Sequence, residues 1–403
     1  MRKPKGFVDL GSTTVAQNEI NSKRKVSLWR GPEIDGITYS QLAKFIVCRE
    51  RFRLYMIEGL KDPEKFSYQM EYGSLWHAAE EEWAGGRNWE LGIEKYAKTL
   101  LKRFPSSEGE INKWRILAKL IFPHYIKFCK ENIDRTRKPV AEELEFKVPY
   151  CLPDGRFILL RGKIDSIYTN KNGLIVQENK SKGESQLIDI PGLMQSIPDN
   201  LQTNIYRSAI DIIQAYPQTV LNQYSRCYSM KEWEYLIALK QKLDKAPKVA
   251  GVIYNVVRRP LSDKHSPRQK KSETEMEFYK RAAALVGSDP KNHFFRWHIT
   301  ITSHKAGQFR RECLDPILMQ LLDWWESIKR NPFNPWKTNA NIYNQGMREF
   351  QDMEIPNHLH YRTPFGLYNS LAMGFRGDYF DFFNRGHRHT LHRVTNLYPE
   401  LSQ

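Results

Sequence analysis

The chain of 403 residues is 40% hydrophobic and 12% aromatic, which suffices for one large domain with insertions or for a few smaller ones. It contains no run near the ~20 apolar residues of a membrane helix, and its first residues lack the apolar segment of a signal peptide. We therefore expect neither a membrane protein nor a secreted one. The formal net charge of +16 favours a polyanionic partner, with nucleic acid as the leading candidate and generic basic solubility as the alternative.

Cysteine usage bears on the cellular compartment. The cysteines are widely separated and odd in number: Cys48, Cys129, Cys151, Cys227 and Cys313. Because no Cys-x-x-Cys spacing is present, we expect neither a disulfide framework nor a cysteine-rich zinc or iron–sulfur site. A reducing, cytoplasmic location is therefore predicted.

The first third of the chain predicts a basic arm followed by helices. Residues 1–36 carry lysines and arginines scattered among small polar residues, which is typical of a flexible arm. Residues 37–135 are predicted to be helical. Apolar residues recur at helical spacing after Ser40, and further helices are predicted over 74–83 and 112–133.

The period of the hydrophobic pattern then changes to two, which predicts a sheet core over 140–302. The predicted strands are 144–148, 157–168, 174–180, 249–257 and 293–302, of which the first three form an antiparallel meander. Helices are predicted over 200–215, 231–243 and 303–330, and residues 351–403 are expected to pack on the domain as an extension with a basic tail. The fold class is α+β, with a central mixed sheet enclosed by helices.

Acidic and basic side chains converge in the predicted meander. Glu178 and Lys180 are two apart on one strand, so their side chains leave the same face. An Asn172-Gly173 turn would place Asp165 opposite Lys180, and a register shift of two residues would keep Asp165 on that face. Two converging carboxylates favour a divalent cation, and a neighbouring lysine can orient or deprotonate an attacking water, so the pattern predicts metal-dependent phosphodiester hydrolysis. The alternative is a surface salt bridge between Lys180 and one of the acids.

Further segments occur in order around this pattern, between residues 38 and 257. The segments are Tyr39-Ser40-Gln41-Leu42 with Cys48-Arg49-Glu50-Arg51-Phe52, Gly73-Ser74-Leu75-Trp76-His77, Gly162-Lys163-Ile164-Asp165 with Glu178-Asn179-Lys180, and Gln202-Thr203-Asn204-Ile205-Tyr206. In this order they resemble the PD-(D/E)XK nuclease superfamily, in particular its RecB-like exonuclease branch. The resemblance implies a restriction-endonuclease-like core and a nuclease domain over 37–350.

The resemblance also implies roles for individual residues. His77, Asp165 and Glu178 would be metal ligands, and Asp165 and Glu178 would act in catalysis together with Lys180. Gln202 and Tyr206 would flank the site and contact DNA. Magnesium is the implied cofactor, with manganese as the alternative. Many relatives carry three further cysteines near the C-terminus for an iron–sulfur cluster, and because Cys313 is the last cysteine here, no cluster is expected.

The expected function is that of a metal-dependent deoxyribonuclease, an exonuclease acting on single- or double-stranded DNA ends in recombination, repair or phage DNA processing. Arg258 and Arg259 begin a basic stretch that could follow a phosphate backbone, with a solvated loop as the alternative. The sequence contains no Gly-x-x-x-x-Gly-Lys motif, so unwinding would need a separate helicase or recombination protein. The competing hypotheses are a catalytically silent nucleic-acid-binding or scaffold protein on a nuclease fold, and the same chemistry on RNA.

Overall fold

The structure is a computed structural model and describes residues 29–47, 49–61, 66–132, 136–262 and 266–330, with positions 392, 393, 397 and 401. Cys48, most of the expected N-terminal arm and most of the C-terminal extension lie outside the described residues. None of the helices in the described ranges is long and apolar enough to cross a bilayer.

Helices occupy both ends of the main described part of the chain and the longer connections between strands. In chain order they are α1 Tyr39–Val47, α2 Arg49–Met56, α3 Tyr68–Ala84, α4 Trp89–Arg103, α5 Glu108–Asn132, α6 Ile190–Ser196, α7 Leu201–Ala215, α8 Gln218–Asn222, α9 Met230–Leu243, α10 Glu275–Ser288, α11 Ser303–Phe309 and α12 Asp315–Arg330. A π-helical stretch, Arg310–Leu314, joins α11 to α12.

Five strands form the central sheet, and two short ones pair separately. The strands are β1 Leu60–Lys61, β2 Lys138–Cys151, β3 Phe157–Asn170, β4 Gly173–Lys182, β5 Val249–Arg258, β6 Phe294–Thr300 and β7 His392–Arg393. The large sheet has the order β2-β3-β4-β5-β6, in which β4 and β5 are parallel and every other neighbouring pair is antiparallel. The predicted fold class, an α+β mixed sheet with an antiparallel meander, is confirmed.

The hydrophobic core joins the sheet to the helices at both ends of the chain. Trp29 is fully buried, and its ring lies 5.5 Å from that of Phe52 and 4.9 Å from that of Trp325. The described end of the expected flexible arm is therefore packed, because it carries a large aromatic side chain with a place in the core. Leu397 and Leu401 are also buried, and the Gln41 side chain donates a hydrogen bond to the Leu397 carbonyl.

A second core forms among α3, α4, α5 and α10. No individual helix was predicted at α4 or α10, although α4 lies within residues 37–135, which were predicted to be helical, and α3 begins about two turns earlier than predicted. A signal for α10 was present, since Thr274 and Glu277 form a capping box at its start. Asn88 caps the start of α4, since its side chain accepts a hydrogen bond from the Glu90 backbone N–H.

Candidate active site

The carboxylate and the lysine of β4 form an ion pair at the carboxyl end of the strand. The Lys180 ammonium donates a hydrogen bond to Glu178 Oε1. Glu178 is 4% exposed, whereas the Lys180 side chain keeps 31% of its exposure. Their spacing of two residues therefore brings the side chains together, as the sequence predicted.

The hairpin register that the sequence favoured is wrong by two residues. Asn170 pairs with Gly173 and Ser166 with Gln177, so the turn consists of positions 171 and 172. Gly173 is used for close packing instead: its φ is +137°, and a Cβ there would lie 2.9 Å from the Lys248 carbonyl oxygen. A register shift of two residues keeps each side chain on the same face of the sheet, so it does not change the predicted face of Asp165.

Asp165 lies where the sheet is locally irregular. The β2–β3 ladder pairs Glu142 with Ser166 and Leu144 with Ile164, and Glu143 between them has φ +49°. Asp165 Oδ2 accepts a hydrogen bond of 2.6 Å from the backbone N–H of Asn179 on β4. A carboxylate thus takes the place of a main-chain acceptor, which fixes Asp165 beside the strand that carries Glu178 and Lys180. A left-handed residue at this point is typical of strain kept at functional sites.

Gln202 on α7 connects the acid and the lysine. Asn200 caps α7 by accepting from the Gln202 backbone N–H at 2.9 Å, which fixes where the helix begins. Gln202 Nε2 donates to Glu178 Oε1 at 2.8 Å and to the Tyr206 hydroxyl at 2.8 Å, while Gln202 Oε1 accepts from Lys180 Nζ at 3.1 Å. Both members of the predicted Gln-x-x-x-Tyr pair therefore lie at the candidate site, where Gln202 orients the two charged groups.

His77 reaches the same region from α3. A Cβ on Gly73 would lie 2.9 Å from Ser181 Oγ, so the glycine lets α3 approach β4 closely. His77, whose side chain is 39% exposed, lines with Asp165 a cavity of about 550 Å³. Its Nδ1 lies 3.5 Å from Glu80 Oε2.

Burial and neighbouring charges shift the pKa of each of these groups. Burial raises the pKa of Asp165 to about 6 and that of Glu178 to about 7, although Lys180 opposes both shifts. Burial would lower the pKa of Lys180, but the two carboxylates raise it well above 10.5, so Lys180 stays charged at neutral pH. Partial burial of the ring, followed by the charge of Lys180, lowers the pKa of His77 to about 4. A neutral imidazole is the form that binds metals.

The donor chemistry of His77, Asp165 and Glu178 suits a divalent cation, since it combines carboxylate oxygens with an imidazole nitrogen. Glu178 Oε2 is buried without a hydrogen-bond partner, which is the kind of orphaned atom that a cation would satisfy. In the part of the chain that the structure describes, no three His, Cys, Asp or Glu side chains are already gathered as a metal centre. The residues fit the ion by their chemistry, and their assignment as ligands stays a prediction.

The two arginines predicted to contact DNA are engaged within the protein. Arg258 forms an ion pair of 2.9 Å with Glu184, and Arg259 donates to the Ser181 carbonyl at 3.1 Å. Both contacts join the end of β5 to the segment that follows Lys180. Contact with DNA would compete with these bonds, and it stays a prediction.

Several polar residues at the cavity escaped the sequence analysis. The Asn179 side chain accepts hydrogen bonds from Gln177 at 3.3 Å and from Asn255 at 3.0 Å. Glu80 lines the same cavity. The sequence could have indicated Glu80, because it lies three residues after His77 and therefore on the same helix face.

Among the comparisons with known proteins, a family model matches part of the chain. A search of curated proteins found no match to the chain. The family model of the PD-(D/E)XK nuclease superfamily matches residues 36–232, a range that contains His77, Asp165, Glu178, Lys180 and Gln202. Over these residues the chain is similar to the PD-(D/E)XK nuclease superfamily, and its mixed sheet enclosed by helices is consistent with the restriction-endonuclease-like fold of those enzymes.

Proposed function

We propose that this protein is a metal-dependent nuclease that hydrolyses phosphodiester bonds in DNA. The observation that carries the proposal is the hydrogen-bonded group of Glu178, Lys180 and Gln202, in which Glu178 Oε2 is buried without a partner. The alternative is a salt bridge on a solvated sheet face. Its carboxylate would be exposed to solvent, whereas Glu178 is only 4% exposed and has a buried oxygen without a partner. The superfamily match over 36–232 supports the same reading.

Each residue of the group has a distinct role in this proposal. His77, Asp165 and Glu178 would hold a divalent cation, which supplies Lewis-acid polarisation of the phosphate and a more acidic water. Lys180 remains protonated, so it donates hydrogen bonds and neutralises phosphate charge instead of accepting a proton. Gln202 holds Lys180 and Glu178 at a fixed separation.

The finer assignment rests on the order of the motifs. We propose the RecB-like branch, magnesium with manganese as the alternative, and exonuclease action on DNA ends in recombination, repair or phage DNA processing, in the reducing cytoplasm. A separate helicase or recombination protein would supply strand separation. The net charge of +16 supports a nucleic-acid substrate without choosing between DNA and RNA.

The test is hydrolysis of end-labelled linear DNA, closed circular DNA and an RNA of the same sequence, with Mg²⁺, Mn²⁺ or EDTA. We expect cation-dependent loss of linear DNA, no cleavage of the circle, and no activity in Asp165→Asn or Lys180→Ala. Lys242→Ala and Glu234→Gln are matched controls, because both side chains are exposed on α9, outside the candidate site.

The other outcomes identify the competing functions. Nicking of the circle would replace exonuclease by endonuclease action. Preferential loss of the RNA would change the substrate. Binding of DNA without cleavage by any divalent ion would contradict the proposal and favour a nucleic-acid-binding or scaffold protein.

A further inference from the structure

A buried glutamate lies directly behind His77. Glu80 is on α3, one turn after His77, and is 7% exposed. Its Oε2 lies 3.5 Å from His77 Nδ1 and is buried without a hydrogen-bond partner. A buried carboxylate oxygen that stays unpaired is costly unless a nearby group uses it.

The other oxygen of Glu80 is held from a different helix. The Tyr125 hydroxyl on α5 donates to Glu80 Oε1 at 2.6 Å, and Tyr125 is 3% exposed. This bond alone would explain a tie between α3 and α5. It does not account for Oε2, which lies beside His77 at the cavity that Glu80, His77 and Asp165 line.

We propose that Glu80 is a positioning residue that accepts a hydrogen bond from the Nδ1–H of His77 and so leaves Nε2 as the nitrogen available to a divalent cation. The proposal rests on the proposed function for the role of His77. Metal-binding histidines commonly donate their other ring nitrogen to a carboxylate, which fixes both the tautomer and the ring orientation. A separation of 3.5 Å is loose for this bond, as is common at sites that tighten when occupied.

The first test measures Mn²⁺ affinity by calorimetry, without nucleic acid, in a double-mutant cycle of Glu80→Gln and His77→Ala. Loss of a carboxylate behind a ligating histidine typically weakens metal binding by about 10- to 100-fold. We expect Glu80→Gln to do so in the native background and to have no further effect in His77→Ala, because Glu80 acts through the ring. Glu81→Gln is the matched control, since Glu81 lines the same cavity but is exposed.

The second test needs no metal. The tautomer of His77 is read from the NMR spectrum of protein labelled with ¹³C-histidine, with the His77 signal identified by its loss in His77→Ala. Burial raises the pKa of Glu80 to about 8, so the spectrum is recorded at pH 9, where the carboxyl is ionised. We expect the Nδ1–H tautomer in the native protein and a mixture in Glu80→Gln. Tyr125→Phe, which keeps the carboxylate but frees it, should give a smaller change.

The outcomes separate the positioning role of Glu80 from the proposed nuclease function. An Nε2–H tautomer in the native protein, an equal loss of affinity in Glu81→Gln, or an additive loss in the double variant would overturn the positioning role while leaving the nuclease proposal intact. Failure of the native protein to bind Mn²⁺ or to cleave with any divalent ion would overturn the proposed function instead, and the tautomer would still decide whether Glu80 holds the ring.

Discussion

Replacement of Glu178 by glutamine should stabilise the metal-free protein at neutral and alkaline pH. Glu178 is 4% exposed, and burial raises its pKa from 4.5 to about 7 despite the Lys180 ammonium. The folded protein therefore disfavours the ionised form relative to the unfolded chain. Glutamine has nearly the same shape, keeps an oxygen that can accept from Lys180 and Gln202, and carries no charge.

The sign and size of the effect follow from proton linkage. Below about pH 4.5 the carboxyl is protonated in both states, so the substitution should change little through charge. As the pH rises from 4.5 to about 7 the unfolded chain ionises first, and the native protein loses stability that the variant keeps. A pKa raised from 4.5 to about 7, at about 1.4 kcal/mol per pKa unit, corresponds to a difference of about 3.5 kcal/mol, which is fully present above about pH 7.

The assay is urea denaturation in EDTA at several values between pH 4.5 and 8.5. Glu234→Gln, an exposed change on α9, should show no comparable trend. If Glu178→Gln is less stable than the native protein at pH 8, or if the difference between them does not grow with pH, burial does not dominate the energy of this carboxylate and the reasoning is wrong.

Three further predictions concern the candidate site and the packing beside it. Divalent cations should raise the thermal midpoint of the native protein at pH 8 and do so less in Glu178→Gln, because the ion removes the same charge penalty; thermal scans with and without Mn²⁺ check this. Gly162→Ala should cost about 1–3 kcal/mol in urea denaturation, because its Cβ would lie 2.6 Å from the Phe146 ring and 3.1 Å from that of Tyr206. Gln202→Ala should lower the cleavage rate by about 10- to 100-fold but leave DNA affinity unchanged, which distinguishes an orienting residue from a DNA contact in paired kinetic and binding assays.

The strands of the candidate site were predictable because their signals are local. Alternation in β2 and β3 and the apolar run of β5 predicted the sheet, and the spacing of Glu178 and Lys180 placed their side chains together. The face of the sheet on which each hairpin side chain lies was also predictable, since a register shift of two residues leaves every side chain on its face.

The exact register and the roles of the supporting residues depend on tertiary contacts that no local pattern encodes. Gly173 resembles a turn glycine in sequence, but its missing side chain serves the approach of the Lys248 carbonyl. Gln202 bonds to groups more than twenty residues earlier in the chain. Trp29 lies in a segment whose composition is typical of a flexible arm, yet its ring completes an aromatic cluster with Trp325 from the last described helix.

The two carboxylate oxygens of Glu178 differ in their hydrogen bonding at the candidate site. Oε1 accepts hydrogen bonds from both Lys180 and Gln202, whereas Oε2 is buried without one. A cation bound at Oε2 would therefore leave the lysine in place. The same carboxylate would fix the distance between the ion and the ammonium, and Gln202 would keep Lys180 from swinging away. Under the proposed function a phosphate in the site would meet both positive groups, and this shared attachment would account for the spacing of two residues between the acid and the lysine on one strand.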